Sequence, residues 1–121
     1  MRAVVTRVKS ASVRIAGALY SKIEQGLLVL LGSEEGDTPG DISYIAEKTA
    51  NLRIFQDEEG KMNRSVRDAG GEILIVSQFT LMGDARKGRR PSFIKAGSPA
   101  EAESIYDQAV LAFEAQGLPV K

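Results

Sequence analysis

The stretch EILIVSQF, residues 72–79, carries the strongest strand pattern in this sequence. A run of aliphatic and β-branched residues after the turn signal AGG at 69–71 is typical of a buried strand. Beyond this run the residues become polar, and the segment DARKGRRPSF at 84–93 is strongly basic. The pattern therefore predicts a core strand whose end carries polar groups toward a cationic rim.

The first third of the chain also has the pattern of strands. Four segments separated by short turns fit it: AVVTRV at 3–8, SVRI at 12–15, LYSKI at 19–23 and LLVLLG at 27–32. The last of these lacks alternation, which indicates burial on both faces. Because the connecting turns are short, we expect these strands to form an antiparallel meander.

Two helices are indicated by the residues that would cap them. TPGD at 38–41 supplies a hydroxyl N-cap, a proline in the first turn and a carboxylate three residues after the cap, and it predicts a helix over 39–53. SPAE at 98–101 repeats this pattern before an apolar stripe that Gly117 would end. The second helix should therefore lie near the end of the chain.

The predicted order of elements is β-β-β-β-α-β-β-α. Such an order is typical of an α+β fold, here a mostly antiparallel, barrel-like sheet with two helices packed on it. At 121 residues the chain fits a single domain, residues 1–121, with one core.

The composition is that of an ordinary globular protein, with 43% hydrophobic and 26% charged residues. No run of 18 apolar residues predicts a membrane span, and the alternating N-terminal residues 1–15 lack the apolar block of a signal peptide. We therefore expect a cytoplasmic location and no membrane partner.

The chain has no cysteine and no histidine. This composition excludes disulfides, the usual zinc sites, thiol nucleophiles and every catalytic triad that needs histidine. We expect neither a metal nor a cofactor. Any catalysis must rely on other groups.

The polar strand end and the basic segment each have two interpretations. Ser77, Gln78 and Thr80 could form part of a site, or they could satisfy neighbouring backbone groups, as most such side chains do. Residues 84–95 hold five cationic side chains against one carboxylate, although the net charge of the chain is zero. This segment is either a solvated surface loop or a phosphate-binding surface, and its pattern alone does not decide.

Five segments resemble the bacterial D-aminoacyl-tRNA deacylase family in their order and spacing: MRAVVTRV, GLLVLLG, NLRIFQDEEGKMNRS, ILIVSQFTL and RKGRRPSF. The resemblance covers essentially the whole chain. It implies a cytoplasmic homodimer that binds aminoacyl-tRNA and hydrolyses the ester between a D-amino acid and the terminal ribose. It also implies removal of glycine from mischarged tRNA, and it does not lead us to expect DNA as a partner.

The resemblance implies roles for particular residues as well. The expected catalytic residues are those that match the family's site segment, Ser77, Gln78, Phe79 and Thr80. The expected substrate-binding residues are Arg7 beside the dimer seam and, in the basic loop near the RNA, Lys87, Arg89 and Arg90.

Hydrolysis of an aminoacyl ester does not require a strong base, because the ester is already activated. The backbone N–H groups of Phe79 and Thr80, with the hydroxyl of Ser77 or Thr80 and the amide of Gln78, could donate to the oxyanion, each contributing on the order of 3–4 kcal/mol. Thr80 as a covalent nucleophile is the competing hypothesis. The chain has no histidine to activate it, which favours direct attack by water.

The end of the chain departs from the family pattern. Family members continue after the second helix into further strands with a Gly-Pro motif, and the residues 117–119 here, Gly-Leu-Pro, are not that motif. Either the chain lacks residues that the working protein has, or it is a shortened member of the family. For a chain that ends at Lys121 we expect an open sheet edge or an uncovered apolar face, lower stability and loss of chiral discrimination. A catalytically defective, deacylase-like RNA-binding protein is the alternative, and a small-molecule hydrolase built around Thr80 is a third hypothesis.

Overall fold

The chain folds into seven strands, two α-helices and one 3₁₀ turn. The computed structural model describes residues 1–121, and its elements are β1 (Arg2–Val8), β2 (Ala11–Ile15), β3 (Ala18–Ile23), β4 (Gly26–Gly32), α1 (Pro39–Asn51), β5 (Phe55–Gln56), β6 (Met62–Arg64), β7 (Glu72–Ser77), the 3₁₀ turn (Phe79–Met82) and α2 (Pro99–Glu114). This arrangement confirms the predicted α+β class and the predicted order of elements. The segment between the helices also contains the very short hairpin β5–β6.

The strand pairing differs from a meander and does not close a barrel. β1 pairs antiparallel with β4, and β4 pairs in parallel with β7, so that β4 is the central strand of a three-stranded sheet. β2 and β3 form a separate hairpin. The meander prediction was wrong because short turns favour neighbouring strands locally, whereas the fully apolar β4 is buried most completely between two partners.

One core lies between this sheet and the two helices. It contains 13 buried hydrophobic residues, among them Leu27, Val29, Ile73 and Ile75 from the central strands. Phe113 of α2 is fully buried in the same cluster. Each such side chain stabilises the fold by about 1.5–3 kcal/mol through burial, so the helices hold β4 and β7 at fixed positions.

Both helices begin at the predicted caps. The Thr38 hydroxyl accepts from Asp41 N–H while the Asp41 carboxylate accepts from Thr38 N–H, which completes a capping box. Ser98 accepts from Glu101 N–H in the same way. α1 ends at Asn51, two residues before the predicted end, and neither helix is long and apolar enough to cross a membrane.

The edge of β7 that faces away from β4 is partly paired. Val120 forms a parallel bridge with Ile73, the Ile73 N–H donates to Pro119 O at 2.9 Å, and the Lys121 N–H donates to Ile73 O at 2.9 Å. Residues 119–121 therefore lie along this edge of the sheet as far as Ile75.

Candidate active site

The polar segment after β7 is a turn and not the end of a strand. β7 ends at Ser77, and Gln78 N–H donates a last hydrogen bond to Leu31 O of β4 at 2.8 Å. The chain then enters the 3₁₀ turn, two residues before the predicted strand end. The side chains beyond Ser77 therefore do not alternate as they would along a strand, because a 3₁₀ turn does not place neighbours on opposite faces.

The turn brings the side chains of Gln78 and Thr80 together. Gln78 Nε2 donates a hydrogen bond to Thr80 Oγ1. On an extended strand, Gln78 and Thr80 would lie two residues apart on the same face and would not make this close contact. The contact restrains both groups at the mouth of the turn, and both remain accessible from one side.

Two backbone N–H groups at the start of the turn have no acceptor within the chain. The hydrogen bonds of the turn run from Leu81 N to Gln78 O at 3.3 Å and from Gly83 N to Thr80 O at 3.0 Å. The N–H groups of Phe79 and Thr80 precede these donors, and no side chain caps them. Such orphan donors at the start of a helical turn suit an oxyanion or another negatively charged oxygen.

A glycine at the end of β4 allows the turn to approach closely. A Cβ at Gly32 would lie 2.9 Å from Gln78 O and 3.0 Å from the Leu81 Cβ. Any other residue would displace the backbone of the turn. Sequence reasoning placed Gly32 in a strand but missed this role, because the contact joins segments about 46 residues apart in the chain.

The Phe79 side chain packs against the basic loop. Its ring meets that of Phe93 edge-to-face, with centroids 5.5 Å apart and an interplanar angle of 63°. Phe79 is nevertheless 57% exposed. The aromatic pair therefore joins the turn to the loop and leaves an apolar surface beside the free N–H groups.

Ser77 lies at the edge of an apolar cleft of about 180 Å³. The cleft is bordered by the β2–β3 hairpin and by Tyr106 of α2. Tyr106 Oη donates to Ile75 O at 3.1 Å, and burial raises the pKa of its phenol. This hydrogen bond fixes β7 two residues before Ser77.

Arg7 lies away from the turn within this chain. β1 pairs with β4 so that Arg2 is opposite Gly32 while Arg7 is opposite Leu27. Five residues of strand separate Arg7 from the end of β1 near the turn, or roughly 17 Å. Its guanidinium donates to Ile54 O at 2.8 Å. A role for Arg7 in the site stays a prediction that a second subunit would have to fulfil.

The basic loop is held closed at its base. Asp84 and Ser92 exchange two backbone hydrogen bonds of 2.7 and 2.8 Å. The Asp84 carboxylate also accepts from the Arg86 guanidinium, and this partner holds the pKa of Asp84 well below its usual range. The expected RNA-contacting side chains are exposed and make no hydrogen bond or ion pair within the chain: Lys87, Arg89 and Arg90. No group of three or more carboxylates is arranged to hold a metal ion.

The turn and the loop together offer two kinds of group on neighbouring surfaces. Free N–H donors and the Gln78–Thr80 pair can stabilise an oxyanion. The cationic loop can bind phosphate.

Comparison with known proteins identifies the same family. A model of the family described as D-Tyr-tRNA(Tyr) deacylase matches residues 4–121. The D-aminoacyl-tRNA deacylase of Syntrophomonas wolfei is 56% identical over 121 residues, which is 100% of this chain and 81% of that protein. The D-aminoacyl-tRNA deacylase of Desulfitobacterium hafniense (strain DSM 10664 / DCB-2) is 54% identical over the same lengths.

A solved structure agrees with this fold. The structure described as c-Myc DNA Unwinding Element Binding Protein superposes with a TM-score of 0.91 at 38% identity, covering 99% of this chain and 83% of that one. The family match over residues 4–121 and the 56% identity across the whole chain show that this chain belongs to the D-Tyr-tRNA(Tyr) deacylase family.

Proposed function

We propose that this chain hydrolyses the ester bond of D-aminoacyl-tRNA and releases the D-amino acid and free tRNA. It also removes glycine mischarged on tRNA and so acts in translation quality control. The names of relatives that are 54–56% identical over the whole chain support this activity. The observation that carries the proposal is the pair of unpaired N–H groups of Phe79 and Thr80 at an accessible turn.

The two N–H groups stabilise the negative charge that develops on the ester carbonyl oxygen. In the tetrahedral intermediate this oxygen becomes an oxyanion, and fixed N–H donors favour the oxyanion over the ground-state carbonyl. Each well-placed donor lowers the barrier by on the order of 3–4 kcal/mol. This stabilisation needs no histidine and no metal.

Water, and not Thr80, is the nucleophile in this proposal. Thr80 Oγ1 accepts a hydrogen bond from Gln78 Nε2, and a donor to this oxygen reduces its nucleophilicity. No carboxylate or amine accepts the proton of Thr80 in the structure, and an unassisted threonine hydroxyl is a weak nucleophile. The Gln78–Thr80 pair positions the attacking water or the 2′-hydroxyl of the ribose instead.

The proposed reaction takes place on aminoacyl-tRNA bound at the basic loop. Lys87, Arg89 and Arg90 are exposed and have no ion-pair partner within the chain. In the proposed complex these side chains bind phosphates of the aminoacyl-tRNA. The active form is a homodimer, and it acts in the cytoplasm, where tRNA is charged and used. The catalytically defective RNA-binding alternative is not favoured, because the relatives are named as deacylases.

The direct experiment uses the purified chain with a matched pair of substrates. D-tyrosyl-tRNA and L-tyrosyl-tRNA are incubated with the protein, and the remaining ester is measured over time. We expect release of D-tyrosine at least about a hundredfold above the rate without enzyme, and the rate on L-tyrosyl-tRNA measures how far the chain discriminates between the enantiomers. Binding of uncharged tRNA without any acceleration of hydrolysis would contradict the deacylase function and favour an RNA-binding protein.

A further inference from the structure

A polar cleft of about 280 Å³ lies directly beside the 3₁₀ turn. It is bordered by Arg2 of β1, by Met82 and Gly83 at the end of the turn, and by Arg86 and Lys95 of the basic loop. A second cleft of about 290 Å³ adjoins it and shares the Asp84–Arg86 pair. The two clefts meet at the Asp84–Arg86 pair, and together they form a path that leads away from the turn.

The path is strongly cationic. Its charged side chains are five cations and one carboxylate: Arg2, Arg86, Lys87, Arg90, Lys95 and Asp84. The carboxylate offsets only one of these five positive charges, and Arg86 binds it through hydrogen bonds that include Nε to Oδ1 at 3.0 Å and Nη2 to Oδ2 at 2.7 Å. The remaining four cations have no carboxylate partner in the chain.

Arg2 connects the first cleft to the turn. Its Nη1 donates to Leu81 O at 3.0 Å, and its other guanidinium donors have no acceptor in the chain. Arginine and lysine side chains held without partners in a polar cleft suit the oxygens of a phosphate. Because the cleft lies beside the turn, a phosphate bound in it would be the one closest to an ester bound at the turn.

We propose that Arg2 and Lys95 bind the phosphodiester group nearest the terminal nucleoside of the aminoacyl-tRNA, and that Lys87 and Arg90 bind the next phosphate along the single-stranded 3′ end. This inference rests on the proposed deacylase function and assigns the substrate's backbone a path over the protein. Sequence reasoning gave Arg2 no role and counted Lys95 only among the five cationic side chains of residues 84–95. Arg2 and Lys95 enter the cleft from distant parts of the chain, and only the fold brings them together.

Substrates with and without phosphate test this proposal. A D-aminoacyl ester of adenosine contains the reacting bond but no phosphate, whereas a D-aminoacylated CCA trinucleotide contains the phosphates of the 3′ end. For Lys95→Ala and Arg2→Gln we expect kcat/KM on the trinucleotide and on tRNA to fall about five- to tenfold, mainly through KM. On the adenosine ester we expect a decrease of less than about twofold.

The choice of variants separates charge from positioning. Arg2→Gln keeps a donor for Leu81 O but removes the charge, so a phosphate role predicts weaker RNA binding in both variants. The log–log salt dependence of binding to an uncharged CCA-ended RNA hairpin should decrease by about 0.7 for each phosphate that the variant no longer neutralises. Lys48→Ala on the exposed face of α1 is the matched control and should change neither measurement.

Each result decides the proposal. Equal decreases on the adenosine ester and on the trinucleotide would show that Arg2 and Lys95 act by shaping the turn, which overturns the phosphate assignment. Unchanged RNA affinity and salt dependence would overturn it as well. If the wild-type protein cleaves no aminoacyl ester but the variants still bind RNA more weakly, the deacylase function fails while the phosphate path stands.

Discussion

Gly32 controls the distance between the central strand β4 and the 3₁₀ turn. The turn can present free N–H groups only if its backbone stays where Gln78 N–H reaches Leu31 O. A side chain at position 32 would meet Gln78 O at 2.9 Å. The geometry of the candidate site therefore depends on a residue that has no reactive group.

Gly32→Ala should damage both stability and activity. The added methyl group must displace the backbone of the turn or the Leu81 side chain, which costs about 1–3 kcal/mol. We expect a lower melting temperature and a kcat on D-aminoacyl-tRNA that is lower by at least about tenfold. Gly40→Ala in α1 is the control, because its Cβ would meet Thr38 Oγ1 at an ordinary 3.5 Å. If Gly32→Ala retained full activity, the close packing of the turn would be irrelevant to catalysis.

Thr80→Ala distinguishes attack by water from attack by threonine. Removal of a hydroxyl that only positions water should reduce kcat by about tenfold, since the backbone N–H groups remain in place. Removal of a covalent nucleophile should reduce activity to the uncatalysed rate. Single-turnover hydrolysis of D-aminoacyl-tRNA measures this difference, and Gln78→Ala should resemble Thr80→Ala. An inactive Thr80→Ala with a normal melting curve would favour the nucleophile.

The helices could be predicted from the sequence almost to their ends, whereas the strand pairing could not. Capping is local: Thr38 and Asp41 bind each other across three residues, so the pattern contains the whole interaction. The pairing of β1 with β4 and of β4 with β7 joins residues far apart in the chain, and hydrophobic pattern alone does not specify partners. The segment of the candidate site was predicted, but its turn geometry was not, because ILIVSQF has no glycine or proline to mark the end of the strand.

The capping box of α1 should make part of the protein's stability dependent on pH. Hydrogen bonds from Thr38 lower the pKa of Asp41 below its usual value. A carboxylate with a lowered folded-state pKa stabilises the fold above its unfolded pKa, near 3.9, and this contribution is lost as the pH falls through the folded pKa. Asp41→Asn should therefore lower the melting temperature at pH 7 but much less at about pH 2–3. An equal decrease at both pH values would mean that the charge of Asp41 contributes nothing.

The β2–β3 hairpin carries exposed apolar side chains outside the two clefts of the cationic path. The turn and the loop 84–95 also expose apolar side chains, of which Phe79 is 57% and Ile94 83% exposed. On that hairpin Ile15, Leu19 and Tyr20 are 56%, 53% and 74% exposed. Ile15 and Tyr20 border the same apolar cleft, and contiguous exposed apolar side chains are typical of a protein–protein interface. If the hairpin contacts a second subunit, the cationic path stays free for the RNA.

The proposed homodimer would have twice the mass of one chain. Light scattering coupled to size-exclusion chromatography should give twice the 13.0 kDa mass of one chain. Leu19→Glu should shift the protein to monomers at low micromolar concentration, because the partner would have to bury a carboxylate without a counter-charge. Leu111→Glu is the matched control, since Leu111 is 65% exposed on α2 and should leave the dimer intact. A wild-type monomer would contradict the homodimer, whereas a dimer that survives Leu19→Glu would place the seam elsewhere on the surface.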